Sequence, residues 1–99
     1  MRVAASAAEI ETRILALLAE RGARRTIGPT DVARSLAGDH PDQWGPLMQP
    51  IRRIAVRLMK EGRVAILRKG RAVDPDDFRG VYRLALPDAG SGAGNTASV

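Results

Sequence analysis

The residues best equipped for chemistry in this 99-residue chain are cationic. Between positions 52 and 71 stand Arg52, Arg53, Arg57, Lys60, Arg63, Arg68, Lys69 and Arg71, opposed only by Glu61. That stretch carries +7 where the whole chain carries +5, which leaves the remainder slightly acidic at −2. Charge this concentrated points to a polyanionic partner. The plainer alternative is a solvated helix face in an Arg-rich chain.

Other chemistry is thin. His40 is the single histidine and there is no cysteine, so a His pair, a multi-His metal site, a thiolate and a disulfide are all excluded. His40 reads as a solvent-facing residue beside a helix start. Asp74, Asp76 and Asp77 surround Pro75. Three carboxylates could hold a hard cation such as Mg²⁺, but Asp-Pro-Asp is also ordinary turn chemistry, and that is the reading adopted. Gly90, Gly92 and Gly94 have no strand and helix around them, so they form no phosphate-cradling loop. Glu9 and Glu11 beside Arg13 read as ion-pair decoration of a helix surface. The expectation is a binding protein without enzymatic activity or cofactor. No run approaches the roughly 20 apolar residues of a membrane span, and the cysteine-free composition suits the cytoplasm.

The elements that must carry the basic cluster follow from periodicity. Ser6 and Glu9 have capping-box spacing, and Ile10, Ile14, Leu17 and Leu18 form one apolar stripe, giving a helix near 7–21 stopped by Gly22. Thr26-Ile27 suits a brief strand. Pro29 opens a second helix, near 29–37, with Asp31 in its first turn and Gly38 at its end. Asp42 is expected to cap a short turn bearing Trp44, which reads as a core plug. Pro50 forbids an unbroken helix over 43–61, so a lead-in helix at 43–48 or a kink is expected before a main helix running to about Glu61. In that helix Leu47, Ile51, Ile54 and Leu58 share one line. Gln49, Arg53, Arg57 and Lys60 fall on the far side, with Arg52 on the flank.

Two β-rich runs follow, 64–68 and 81–86, joined by a long loop from Lys69 to Gly80. Residues 1–6 are read as a flexible N-terminus, 7–87 as one domain, and the Gly/Ser/Ala-rich 88–99 as a disordered tail. Helix, short strand, helix, helix and hairpin, in that order, specify an α+β fold: a winged helix-turn-helix of three helices plus a C-terminal β-hairpin wing. A three-helix bundle with an appended hairpin is the competing topology.

Four stretches also resemble a small bacterial family described as domain of unknown function 3253. They are Thr26-Ile27-Gly28-Pro29-Thr30-Asp31-Val32-Ala33-Arg34, then Trp44 with Leu47-Met48-Gln49-Pro50-Ile51-Arg52, then Glu61-Gly62-Arg63-Val64 running into Lys69-Gly70-Arg71 and Val73-Asp74-Pro75, and finally Arg79-Gly80 with Arg83-Leu84. The resemblance covers roughly residues 8–87 and implies a winged-helix architecture. It carries no activity with it. The family pattern has Cys where this chain has Gly28 and Pro where it has Val81; neither difference bears on the fold.

The leading expectation for function is binding of double-stranded DNA, as a transcriptional regulator without an effector domain. The third helix would enter the major groove with Gln49, Arg52 and Arg53 as base readers. Arg57 and Lys60 would hold phosphates, Lys69 and Arg71 would work from the wing, and Thr30 and Arg34 would add backbone contacts from the second helix. Six neutralised phosphates would give a log–log salt slope near −5, from about 0.9 per contact. The alternative is a winged-helix adaptor for an acidic protein partner. RNA binding would need exposed aromatics, for which only Tyr82 and Phe78 are candidates.

Overall fold

Ser6 and Glu9 close a full capping box at the first helix. The Glu9 amide donates to Ser6 Oγ at 3.1 Å and the Ser6 amide donates to Glu9 Oε1 at 2.8 Å. Two otherwise orphaned donors are thereby satisfied, and helix α1 runs Ala7–Arg21 with Ile10, Ile14 and Leu18 buried. The computed structural model describes residues 5–22 and 25–87. The expected disordered tail, and all of the expected N-terminal arm but Ala5 and Ser6, lie outside the described residues.

Strand β1 (Thr26–Ile27) leads into helix α2 (Pro29–Ala37), whose first residue is proline. A missing N–H costs nothing there. The Asp31 carboxylate accepts from the Gly28 amide at 2.9 Å. A one-turn helix α3 (Pro41–Trp44) and a 3₁₀ turn (Gly45–Leu47) then precede helix α4 (Met48–Lys60). The lead-in thus begins earlier than expected, and its cap is His40, whose Nδ1 accepts from the Asp42 amide at 3.2 Å, rather than Asp42. Pro50 is the third residue of α4. In the first turn its lack of a donor is harmless, which is how the chain accommodates it.

The sheet has four antiparallel strands in the order β1-β4-β2-β3, where β2 is Ala65–Arg68, β3 is Arg71–Ala72 and β4 is Arg83–Ala85. The expected pairing of the two β-rich runs is present, with Ile66 opposite Leu84. Thr26 opposite Ala85 adds β1 on the other side of β4. One feature departs from the expected open loop over 69–80. The chain turns at once at Lys69 (φ 54°) and Gly70 (φ 82°) and pairs back as β3. Positive φ at both central residues is what a type I′ hairpin requires, and its twist matches that of the strands.

These elements give an α+β fold around one main core. Ile10, Ile14 and Leu18 of α1, Val32 of α2, Ile51 and Leu58 of α4, and Ile27, Ile66 and Leu84 of the sheet are fully buried. Truncating any of the larger ones to Ala would cost about 2–5 kcal/mol. Trp44 is not a fully buried plug. It packs half-buried against the core from the edge, with its indole N–H donating to the Asp39 carbonyl at 3.2 Å. Phe78 and Tyr82 are both in the core at 6% and 7% exposure, so neither is available as a stacking platform for RNA bases.

Candidate nucleic-acid interface

Helix α4 buries Ile51, Ala55 and Leu58 and turns Gln49, Arg53, Arg57 and Lys60 outward. The 3.6-residue period of the sequence is the whole cause of this split. What the period does not reveal is which cations already have partners.

Arg57 is clamped. Its Nη2 lies 2.7 Å from Glu11 Oε1 and its Nη1 3.1 Å from Glu61 Oε2. Arg63 shares the same acid, with Nη1 2.6 Å from Glu11 Oε2. Glu11 therefore does not decorate the α1 surface beside Arg13; it ties α1 to α4 and to the segment after it. Hydrogen bonds from Arg57 and then Arg63 hold its carboxyl below the usual carboxylate range. The Arg57 pKa is raised in turn, chiefly by Glu11 and secondarily by Glu61. Lys60 pairs with Asp76 at 2.6 Å. The acidic loop thus folds back on the basic stripe and neutralises one of its members.

Arg52 is also engaged. Its Nη2 donates to the Phe78 carbonyl at 2.6 Å, and its guanidinium carbon lies 3.8 Å from the centroid of the Phe78 ring. Phe78 meets Tyr82 edge-on at 5.4 Å. Arg52, expected to read bases, instead fixes the loop between β3 and β4 against α4. The rest of that loop is turn chemistry: Asp74 Oδ1 accepts from the Asp76 amide at 2.9 Å and its carbonyl from the Asp77 amide at 3.0 Å. Among the described residues no group of three His, Cys, Asp or Glu could hold a metal ion.

From α4 onward, four cations among the described residues stay free. Arg53, Lys69, Arg71 and Arg79 are exposed, and each lacks a partner among the described residues. Gln49 is exposed one turn before Arg53. Arg34 is exposed and only loosely associated with Asp39, at 3.8 Å. Thr30 is half-buried in the first turn of α2. Arg79 does not stand out in the sequence, because it sits beside the acidic run Asp74–Asp77, which masks it in any charge count. Arg68 and Arg83 are spent internally: Arg68 Nε donates to the Val81 carbonyl at 3.0 Å, and Arg83 Nε donates to Thr26 Oγ1 at 3.0 Å.

A hollow of about 430 Å³ lies between the first turn of α2, Met48 at the start of α4, and the run Gly80–Arg83. Val81, 83% exposed, and the buried Tyr82 both line it. The Tyr82 hydroxyl is buried with no hydrogen-bond partner among the described residues. Such a group costs about 1–3 kcal/mol when left unsatisfied. Burial pushes its pKa up, against the opposing charge of Arg52.

Among the described residues no helix is long and apolar enough to cross a membrane. No curated protein matches the chain. The family model described as "Protein of unknown function (DUF3253)" matches residues 7–87, almost the whole of the described structure, and the chain belongs to that family.

Proposed function

We propose that the chain is a winged helix-turn-helix module that binds double-stranded DNA in the cytoplasm, without catalytic activity and without a cofactor, in the manner of a transcriptional regulator that lacks an effector domain. One observation carries this reading: Arg53 on α4 and Lys69, Arg71 and Arg79 in the following hairpin and loop are all exposed and unpaired among the described residues. A recognition helix followed directly by a basic hairpin is the arrangement by which such modules grip a duplex. Gln49 and Arg53, near the helix start, are the base readers, since Gln suits adenine and Arg suits guanine. Lys69, Arg71 and Arg79 hold phosphates, with Thr30 and Arg34 as further backbone contacts from α2.

The test is fluorescence anisotropy of a labelled duplex titrated with the full chain at a series of salt concentrations. Four neutralised phosphates predict a log–log slope of about −3.6. A flat dependence, or no binding at low salt, overturns the proposal.

A second reading, docking of an acidic protein segment, draws on a different observation. Glu11, Glu61 and Asp76 interleave with the α4 cations and make that face mixed in charge, which suits a protein surface better than a uniform polyanion. A partner retained through nuclease digestion and high salt would favour it.

A further inference from the structure

We infer that the hollow between α2, α4 and β4 is a binding site for a small zwitterion with an apolar body, of the class of the apolar α-amino acids. The inference is independent of DNA binding. It rests on four features that meet at one place.

The hollow has the volume of a small-molecule site, about 430 Å³. Its walls include Pro29, Met48 and Val81, and Val81 is the one exposed large hydrophobic residue among those described. Apolar side chains around a cavity provide the area that binds a ligand body.

One cation and one anion share its lining. Arg83 commits Nε and Nη2 to Thr26, leaving Nη1 free. That Nη1 lies over Gly28, only 3.2 Å from where a Cβ would stand, and Asp31 Oδ2 lies 3.5 Å from the same point. Asp31 Oδ2 accepts from the Gly28 amide, leaving Oδ1 free. The two side chains bond to Gly28 and Thr26 and not to each other. A ligand of single charge would be attracted by one and repelled by the other. A molecule carrying a carboxylate and an ammonium a few ångströms apart is matched to both, with the carboxylate on Arg83 and towards the positive end of α2.

Tyr82 supplies the fourth feature. It lines the hollow, it is 93% buried, and its hydroxyl has no partner among the described residues. Buried hydroxyls are normally bonded. The hydroxyl itself has almost no accessible surface, so the ring must turn towards the hollow to meet a ligand carboxylate, which is then the acceptor it lacks.

The experiment is a titration of the isotope-labelled full chain, followed by amide chemical shifts. The probes are L-phenylalanine, its cation-only analogue phenethylamine and its anion-only analogue hydrocinnamate. L-phenylalanine should bind with a dissociation constant on the order of 1 mM, as about a dozen heavy atoms at ordinary ligand efficiency give. Its shifts should fall at Thr30, Asp31 and residues 80–83, and each analogue should bind at least tenfold more weakly. Arg83→Gln should weaken binding at least tenfold. That variant also loses the Thr26 contacts, so Tyr82→Phe provides the second test: it should leave the melting temperature of the free protein unchanged or raised, yet weaken binding severalfold. Absence of shifts, shifts centred elsewhere, analogues that bind as well as L-phenylalanine, or full binding by Tyr82→Phe overturns the inference.

Discussion

The guanidinium of Arg52 lies 3.8 Å above the Phe78 ring while donating a 2.6 Å hydrogen bond to the carbonyl of the same residue. One side chain on α4 thereby holds both the face and the backbone of a residue 26 positions away. A charge-assisted hydrogen bond contributes about 1.5–3 kcal/mol, and a cation over an aromatic face adds about 0.5–2 kcal/mol. Arg52→Ala should therefore destabilise the fold by about 2–3 kcal/mol in denaturant titration. Arg52→Lys should recover little of this, because an ammonium cannot stack flat while bonding in its own plane. Were Arg52 a base reader, the same change would leave stability untouched and alter DNA preference instead.

Arg53 and Arg57 sit one turn apart on the same exposed stripe, yet only Arg57 is paired. If free cations set DNA affinity, Arg53→Ala should weaken binding severalfold at low salt and relax the preference at the base it reads. Arg57→Ala should leave affinity and base preference unchanged, since its charge is already met by Glu11 and Glu61. Equal losses from the two variants would show that the acids are displaced on binding.

The two positions also mark how far the sequence could be read. Local features were legible: the Ser6–Glu9 box, the α1 stripe, Pro29 at the head of α2 and the inward and outward faces of α4 all repeat within a turn or two. Contacts across the chain were not. Glu11 and Arg57 are 46 positions apart, and nothing in either neighbourhood names the other. Phe78, set in an acidic loop, reads as exposed until Arg52 and Tyr82 are found around it. Strand β3 is two residues long, too short for any period; its one signal was Lys69-Gly70, a pair suited to a tight hairpin turn. The concentration of basic residues is thus legible in the sequence, but which of them already have acidic or carbonyl partners is not.

Glu11 makes stability depend on acid. Hydrogen bonds from Arg57 and Arg63 lower its folded-state pKa below the ordinary value of 4.5. A depressed carboxyl stabilises fully above its unfolded value, and that contribution is lost as pH falls through the folded one. The native chain should lose stability as pH drops below 4.5. Glu11→Gln should be less stable than the native chain at neutral pH and should show a shallower loss on acidification. Denaturant midpoints at neutral pH and well below 4.5 check both. Parallel acid profiles for the two proteins would place the sensitive group elsewhere.

Lys69 adopts φ 54°, the single non-glycine residue at positive φ among those described. A side chain there crowds its own backbone, a cost of about 1–2 kcal/mol that Asn partly escapes. The type I′ turn also prefers Asn before Gly. Lys69→Asn should therefore raise stability by about 0.5–1 kcal/mol, seen as a higher denaturant midpoint with unchanged slope. The same change removes one of the four unpaired cations in the proposed interface, so DNA affinity should fall and the salt slope should flatten by about 0.9. Opposite signs in one variant separate the two roles of this residue. A strained lysine kept at the tip of a hairpin is best explained by what its charge meets, and the strain would be pointless if both readouts improved together.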